Sequence, residues 1–132
     1  MPEFVPARGF IEMEKLLKLY ENQKDPIYIY LFGEKDKQGR SWCPDCVDAE
    51  ETIMTAFRTN APEESVILMV DVGNREAWMD IKDNNFRKPP YNVDGIPSLL
   101  HWKGVERLDG IQLTKKTLLE LFFEVTDPKQ KD

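Results

Sequence analysis

The chain is poor in the residues that build metal sites. It has one histidine, His101, and two cysteines, Cys43 and Cys46. A structural zinc site wants four Cys or His ligands. These three cannot complete one without a carboxylate or a second chain, so no metal is expected. Long apolar runs are also missing. The longest, residues 27–32, falls far short of the ~20 residues that span a bilayer. Basic residues are outnumbered, 18 Lys and Arg against 24 Asp and Glu, leaving a net charge of −6. That balance argues against nucleic acid and against anionic membrane surfaces as partners. The start, Met1-Pro2-Glu3-Phe4-Val5-Pro6, has neither the basic beginning nor the apolar centre of a signal peptide. A cytoplasmic protein is therefore expected, in a compartment where structural disulfides are rare. The bland reading of the acidity is solubility.

What is present is an ordinary globular mix, 41% hydrophobic and 32% charged over 132 residues. That length suits one domain with a proper core. We place the domain at residues 1–126 and a short polar, disordered tail at 127–132. Phe10, Met13, Leu16, Leu17 and Tyr20 recur at helical spacing. Residues 27–32 are apolar without a break, as in a strand buried on both faces. Residues 34–41 form a charged loop. A helix is expected from near Cys43 to near Asn60, and a second buried strand over 66–72. Residues 74–92, polar with scattered aromatics, read as short helical turns and loop. Residues 98–102 and 105–109 read as a hairpin around Lys103-Gly104, and 114–125 as a last helix. The first two strands, joined through a helix, should be parallel, and the last pair antiparallel. A mixed sheet with helices on both faces satisfies these constraints.

Cys43 and Cys46 stand in the run Gly39-Arg40-Ser41-Trp42-Cys43-Pro44-Asp45-Cys46. About 1.5% of random placements of two cysteines give this spacing, so coincidence is a weak reading. In a reducing compartment the pair points to catalysis or metal rather than to a structural bond. Pro44 disfavours a helical Cys43 and itself suits the first helical position, which makes Cys43 the N-cap. There the backbone N–H groups and the helix dipole stabilise a thiolate. Cys43 is expected to be exposed at the helix tip. Cys46, Ala49, Ile53 and Phe57 then share an inward face, and Asp45, Asp48, Thr52 and Thr55 a solvated one. Asp45 stabilises the first helical turn. Its charge also disfavours a second negative charge nearby, so it is a candidate, with Pro44, for tuning the thiols.

Trp42-Cys43-Pro44-Asp45-Cys46 at a helix start, with Gly95-Ile96-Pro97-Ser98-Leu99-Leu100 downstream, resembles the thioredoxin fold. The WCPDC run, the loop from Phe32-Gly33 through Lys35-Asp36 to Gly39 and Ser41, and Asn84-Asn85-Phe86-Arg87-Lys88 resemble a narrower group. This is the thioredoxin-domain-containing-protein-17-like family, and the resemblance runs from about Gly9 to Val125. It implies a thioredoxin fold, a central mixed sheet flanked by helices on both faces. It also implies a dithiol–disulfide oxidoreductase, a disulfide reductase with Cys43 as nucleophile and Cys46 as resolving thiol. It implies no bound cofactor, with electrons from NADPH through thioredoxin reductase. The partners implied are thioredoxin reductase and disulfide-containing proteins or small molecules, and the protein is expected to be monomeric. Pro97 is implied to be cis, placing the Ile96 backbone where substrate can pair with it. Trp42 is implied to shape the rim. Two positions depart from thioredoxins proper: Tyr30 stands where they carry a buried aspartate, and Glu51 where they carry a helix-kinking proline. Water or Asp45 is then left to deprotonate Cys46.

Two other functions use the same residues. One is a peroxide-reducing or redox-sensing role for the thiols. The other is a noncatalytic interaction module. A binding-only relative has little reason to keep both cysteines together with Ile96-Pro97.

Overall fold

A computed structural model describes residues 1–130. Its elements run β1 (Glu3–Arg8), α1 (Gly9–Leu19), β2 (Ile27–Phe32), α2 (Pro44–Thr59), β3 (Val66–Asp71), α3 (Arg75–Met79), β4 (Ser98–His101), β5 (Arg107–Asp109) and α4 (Lys116–Thr126). Short 3-10 turns lie at Asn85–Arg87, Gly110–Thr114 and Pro128–Gln130. The last of these turns stands where a disordered tail was expected; residues 131–132 of that tail lie outside the described residues.

The five strands form one sheet in the order β1-β3-β2-β4-β5. β2 and β3 are parallel, as their helical crossover requires. β4 runs antiparallel to both β2 and β5. β1 was not anticipated. It is a parallel edge strand on β3, pairing Glu3 with Val66 through Arg8 with Asp71. Pro6 is tolerated because an edge strand leaves one row of N–H groups without a ladder partner.

The pleat of β2 divides the core in two. Ile27, Ile29 and Leu31 pack on one face with Met13 and Leu17 of α1 and Trp78 of α3. Tyr28 and Tyr30 pack on the other with Ala49, Ile53 and Phe57 of α2 and Leu119, Phe122 and Phe123 of α4. Helices thus cover both faces, and β2 is buried along nearly its whole length. Each large side chain removed from water on these faces contributes about 1.5–3 kcal/mol.

Segment 74–92 is held by its aromatics. Phe10 of α1 meets Phe86 edge-on at 5.3 Å and Tyr91 at 5.5 Å. Arg87 stacks over Trp78 at 4.3 Å and donates to the carbonyls of Trp78 and Asp94. These contacts fix the approach to Ile96-Pro97 from the N-terminal side. The Pro89-Pro90 and Ile96-Pro97 peptide bonds are both cis.

Candidate active site

The site lies at the C-terminal end of β2, where the chain leaves the sheet, turns through the charged loop and enters α2. The loop is an ordered hairpin. The Asp36 carboxylate accepts from the amides of Gln38 and Arg40, and Lys35 bridges to Ser41. Lys35 also pairs with Glu50 of α2. An open cleft of about 630 Å³ borders Trp42, lined by Glu34, Asp36, Arg40, Arg75 and Glu76 among others.

Trp42 is held from two sides. Its backbone amide donates to the Glu34 carbonyl at 3.3 Å, and its indole N–H to the Gly73 carbonyl at 2.8 Å. Gly33 permits this closeness: a Cβ there would stand 2.8 Å from Trp42 Cε2 and 2.9 Å from Ser41 Oγ.

Cys43 is the N-cap of α2, with extended backbone and Pro44 at the first helical position. Its sulfur accepts from the Cys46 amide at 3.2 Å, so the thiol itself caps the helix. The Cys43 thiol donates to the Ile96 carbonyl at 3.7 Å. The expected exposure of Cys43 is corrected: it is only 4% exposed. Its sulfur turns back over the helix end and toward Ile96 instead of outward, and it packs with Ile96 and Trp42. Ile96, joined to Pro97 by a cis bond, therefore stands against Cys43, and Trp42 lies beside it. Asp45 and Pro44 are exposed.

Cys46 is 3% exposed, and Ala49, Ile53 and Phe57 continue its inward face. Asp45, Asp48 and Thr55 are exposed on the other side, as the spacing predicts, and Thr52 is half-buried. Both cysteines are free thiols. Burial pushes the Cys46 thiol far up from its ordinary value, and the neighbouring Cys43 sulfur adds to this. The Gly33 backbone and the Ser41 side chain partly oppose the rise.

Tyr30 projects from β2 toward the thiols. Burial raises its hydroxyl, and the charges of Cys46, Glu50 and Cys43 raise it further. It stays protonated and is no base. Asp45 points to solvent from the first turn of α2, about 100° around the helix from Cys46, so it is poorly placed to serve as the base. The residue that sequence reasoning missed is Ser41. It is 8% exposed, donates to the Gly33 carbonyl at 2.8 Å and accepts from the Cys43 amide at 3.1 Å. A serine in a polar loop carries no periodic signal, and only the hairpin closure places it behind the cysteines. Glu51, in place of a proline, leaves α2 unbroken from Pro44 to Thr59.

His101 lies at the end of β4, its Nδ1 2.8 Å from a Glu106 carboxylate oxygen. Among the described residues no group of three or more His, Cys, Asp or Glu side chains could hold a metal ion, and no helix is long and apolar enough to cross a membrane.

The fold is that of thioredoxin. A reduced thioredoxin pre-protein of Schistosoma mansoni superposes with a TM-score of 0.57 at 15% identity, over 92% of this chain and 98% of that one. Thioredoxin domain-containing protein 17 of Mus musculus is 33% identical over 121 residues, covering 92% of this chain and 94% of its own. The corresponding protein of Epinephelus coioides is 35% identical over the same shares. The thioredoxin-like protein Clot of Arabidopsis thaliana is 35% identical over 98 residues, 67% of this chain and 66% of its own. The model of the thioredoxin domain of thioredoxin domain-containing protein 17-like proteins matches residues 6–125. With Cys43-Pro44-Asp45-Cys46 capping α2 and Ile96 facing it, the chain belongs to the thioredoxin domain-containing protein 17-like family.

Proposed function

We propose that this protein is a dithiol–disulfide oxidoreductase that reduces disulfides of proteins or small molecules. One observation carries the reading: Cys43 Sγ sits on the N-terminus of α2, accepting the Cys46 amide, with the Ile96 carbonyl opposite. The amide and the helix dipole favour negative charge on Cys43 sulfur.

The Cys43 thiolate attacks one sulfur of a substrate disulfide. A Cys43–substrate bond forms, the substrate S–S bond breaks, and the other half leaves as a thiolate that takes a proton from water. Cys46, after losing its proton, attacks Cys43 sulfur. The Cys43–Cys46 bond forms and the second substrate thiolate leaves. The pair is now oxidised by two electrons and the substrate reduced by two. Thioredoxin reductase, using NADPH, returns those electrons; the protein itself holds no cofactor. During attack the Ile96 backbone pairs with an extended substrate segment by strand addition. The ordered charged hairpin at 34–41 and the cleft beside Trp42 narrow the choice of partner relative to a general thioredoxin. We place the protein in the cytoplasm as a monomer; that compartment keeps dithiols reduced.

The test is NADPH consumption with thioredoxin reductase present, using a protein disulfide or hydrogen peroxide as acceptor. Turnover with the disulfide is expected. Turnover with peroxide and none with any disulfide would reverse the assignment in favour of a thiol peroxidase.

A further inference from the structure

The backbone from Asp94 to Pro97, which carries the Ile96 carbonyl past Cys43, is tied at successive carbonyls. The Gly95 carbonyl accepts the Ser98 hydroxyl at 2.6 Å, and the Pro97 carbonyl accepts the Gly110 amide at 2.8 Å. The Ile96 carbonyl faces the Cys43 thiol at 3.7 Å. On the N-terminal side the Asp94 carbonyl accepts Arg87 Nη1 at 3.0 Å.

Arg87 reaches that carbonyl from a fixed base. Its Nε donates to the Trp78 carbonyl at 3.2 Å, and its guanidinium carbon lies 4.3 Å from the Trp78 ring centre. The Trp78 carbonyl stands in the last turn of α3, where a helix leaves its C=O groups without internal partners. The buried Asn84 side-chain amide donates to it as well, at 2.8 Å. Trp78 itself belongs to the buried cluster that holds Cys43 and Ile96. One planar guanidinium thus joins the end of α3 to the segment entering Ile96. A lysine keeps the charge but not the fork, because an ammonium is a point charge on a flexible stem. Between the clamp and Ile96 lies Gly95, with open space where a Cβ would stand. Glycine is the most permissive of backbone joints, so a free Asp94 end leaves Ile96 beside a hinge.

We propose that Arg87 is a positioning residue for disulfides carried on extended peptide: by clamping the Asp94 carbonyl to the end of α3, it holds the Ile96 backbone ready to pair with a substrate strand beside Cys43. A backbone ordered before the encounter spares the entropy of ordering it on binding, so the clamp acts on affinity for substrates that pair with it. A small disulfide without a peptide strand gains nothing from it. The chemistry is unchanged: a Cys43–peptide bond forms, the substrate S–S bond breaks, and the other half leaves as a thiolate. Arg87 touches none of the reacting atoms. The inference rests on the dithiol reading above and names the substrate class that the site favours.

The experiment reads the attack alone, in protein carrying Cys46→Ser, with and without Arg87→Lys. Each protein is mixed with an excess of a mixed disulfide of 5-thio-2-nitrobenzoate. The partner half is either free cysteine or an extended peptide of about ten residues with a central cysteine. Cys43 attacks the cysteine sulfur, and the nitrobenzoate half, the better leaving group, departs as a coloured thiolate. Stopped flow over a range of concentrations gives the limiting rate and the half-saturating concentration. For Arg87→Lys we expect the half-saturating concentration of the peptide to rise about tenfold with a limiting rate within about twofold, as for loss of one hydrogen bond to a charged group. The free-cysteine disulfide should react within about threefold of its rate with Arg87 in place, since it has no strand to pair. A peptide N-methylated on both sides of its cysteine, which cannot pair, should react alike with both proteins. An unmoved half-saturating concentration, equal slowing of both disulfides, or the same penalty on the N-methylated peptide overturns the proposal. Folding is checked by urea unfolding; if Arg87→Lys does not fold, Arg87→Gln carries the same expectations. Cys43→Ser tests the parent reading separately: release that survives it removes Cys43 as the nucleophile. Release that needs Cys43 but ignores Arg87→Lys removes only the role of Arg87.

Discussion

The Cys46 amide donates to the Cys43 sulfur at 3.2 Å, while the Cys46 side chain turns into the core behind it. Two chemically identical groups three residues apart thus occupy unlike surroundings. One sulfur caps a helix and faces the Ile96 carbonyl; the other is buried where ionisation is costly. The asymmetry comes from Pro44, which begins the helix just after Cys43, and from the helical period, which turns Cys46 inward.

Gly33 is the close-packed point behind this arrangement. Gly33→Ala forces a Cβ to within 3 Å of Trp42 and Ser41, so one of them must move. We expect a loss of about 1–3 kcal/mol in urea unfolding. Stability equal to wild type would show that the contact is not tight.

Asp45 acts through its charge. It is exposed in the first turn beside the thiols, so its influence is open to salt. Asp45→Asn should speed the first reaction with the dianionic 5,5′-dithiobis(2-nitrobenzoate) about two- to threefold at low ionic strength. It should slow the reaction with cationic cystamine, and both differences should shrink at 1 M salt. Equal effects on the two disulfides would point to a change in local structure instead.

Stability should fall in alkali. Burial pushes the Tyr28 hydroxyl up to about 12, against the lowering effect of its hydrogen bond with Thr126. The unfolded tyrosine ionises near 10. Between about pH 10 and 12 the folded chain therefore holds more protons than the unfolded one, and stability declines as pH rises. Below that window this contribution is fully present. Urea unfolding from pH 9 to 11.5 should show the decline, with a shallower slope for Tyr28→Phe. Parallel slopes for the two proteins would exclude Tyr28 as a source.

How much of this was legible in the sequence depends on where the signal sat. β2 was plain because residues 27–32 are apolar on both sides of the pleat, and α2 because Pro44 and the 46-49-53-57 spacing mark its start and inner face. β1 was not: it contains Pro6, begins with Glu3 and ends with Arg8, and only Ala7 along it is fully buried. Its stability comes from pairing with β3, some sixty residues away, which no local pattern encodes. The hairpin return is shorter than the 105–109 expected, because β5 begins at Arg107. In the site, the cysteine pair and Ile96-Pro97 were readable as motifs. The burial of Cys43 and the position of Ser41 were not, since both follow from a strand end, a loop and a distant proline meeting in space.

The central claim is that Cys43 attacks and Cys46 resolves. It is tested most directly by mixing Cys46→Ser protein with an excess of a substrate disulfide and measuring the intact mass. We predict one stable adduct per chain, mapped to Cys43 by peptide digestion, no adduct on Cys43→Ser, and only the oxidised pair in wild type. A Cys46→Ser protein that accumulates no adduct yet sustains full turnover with thioredoxin reductase would contradict the account.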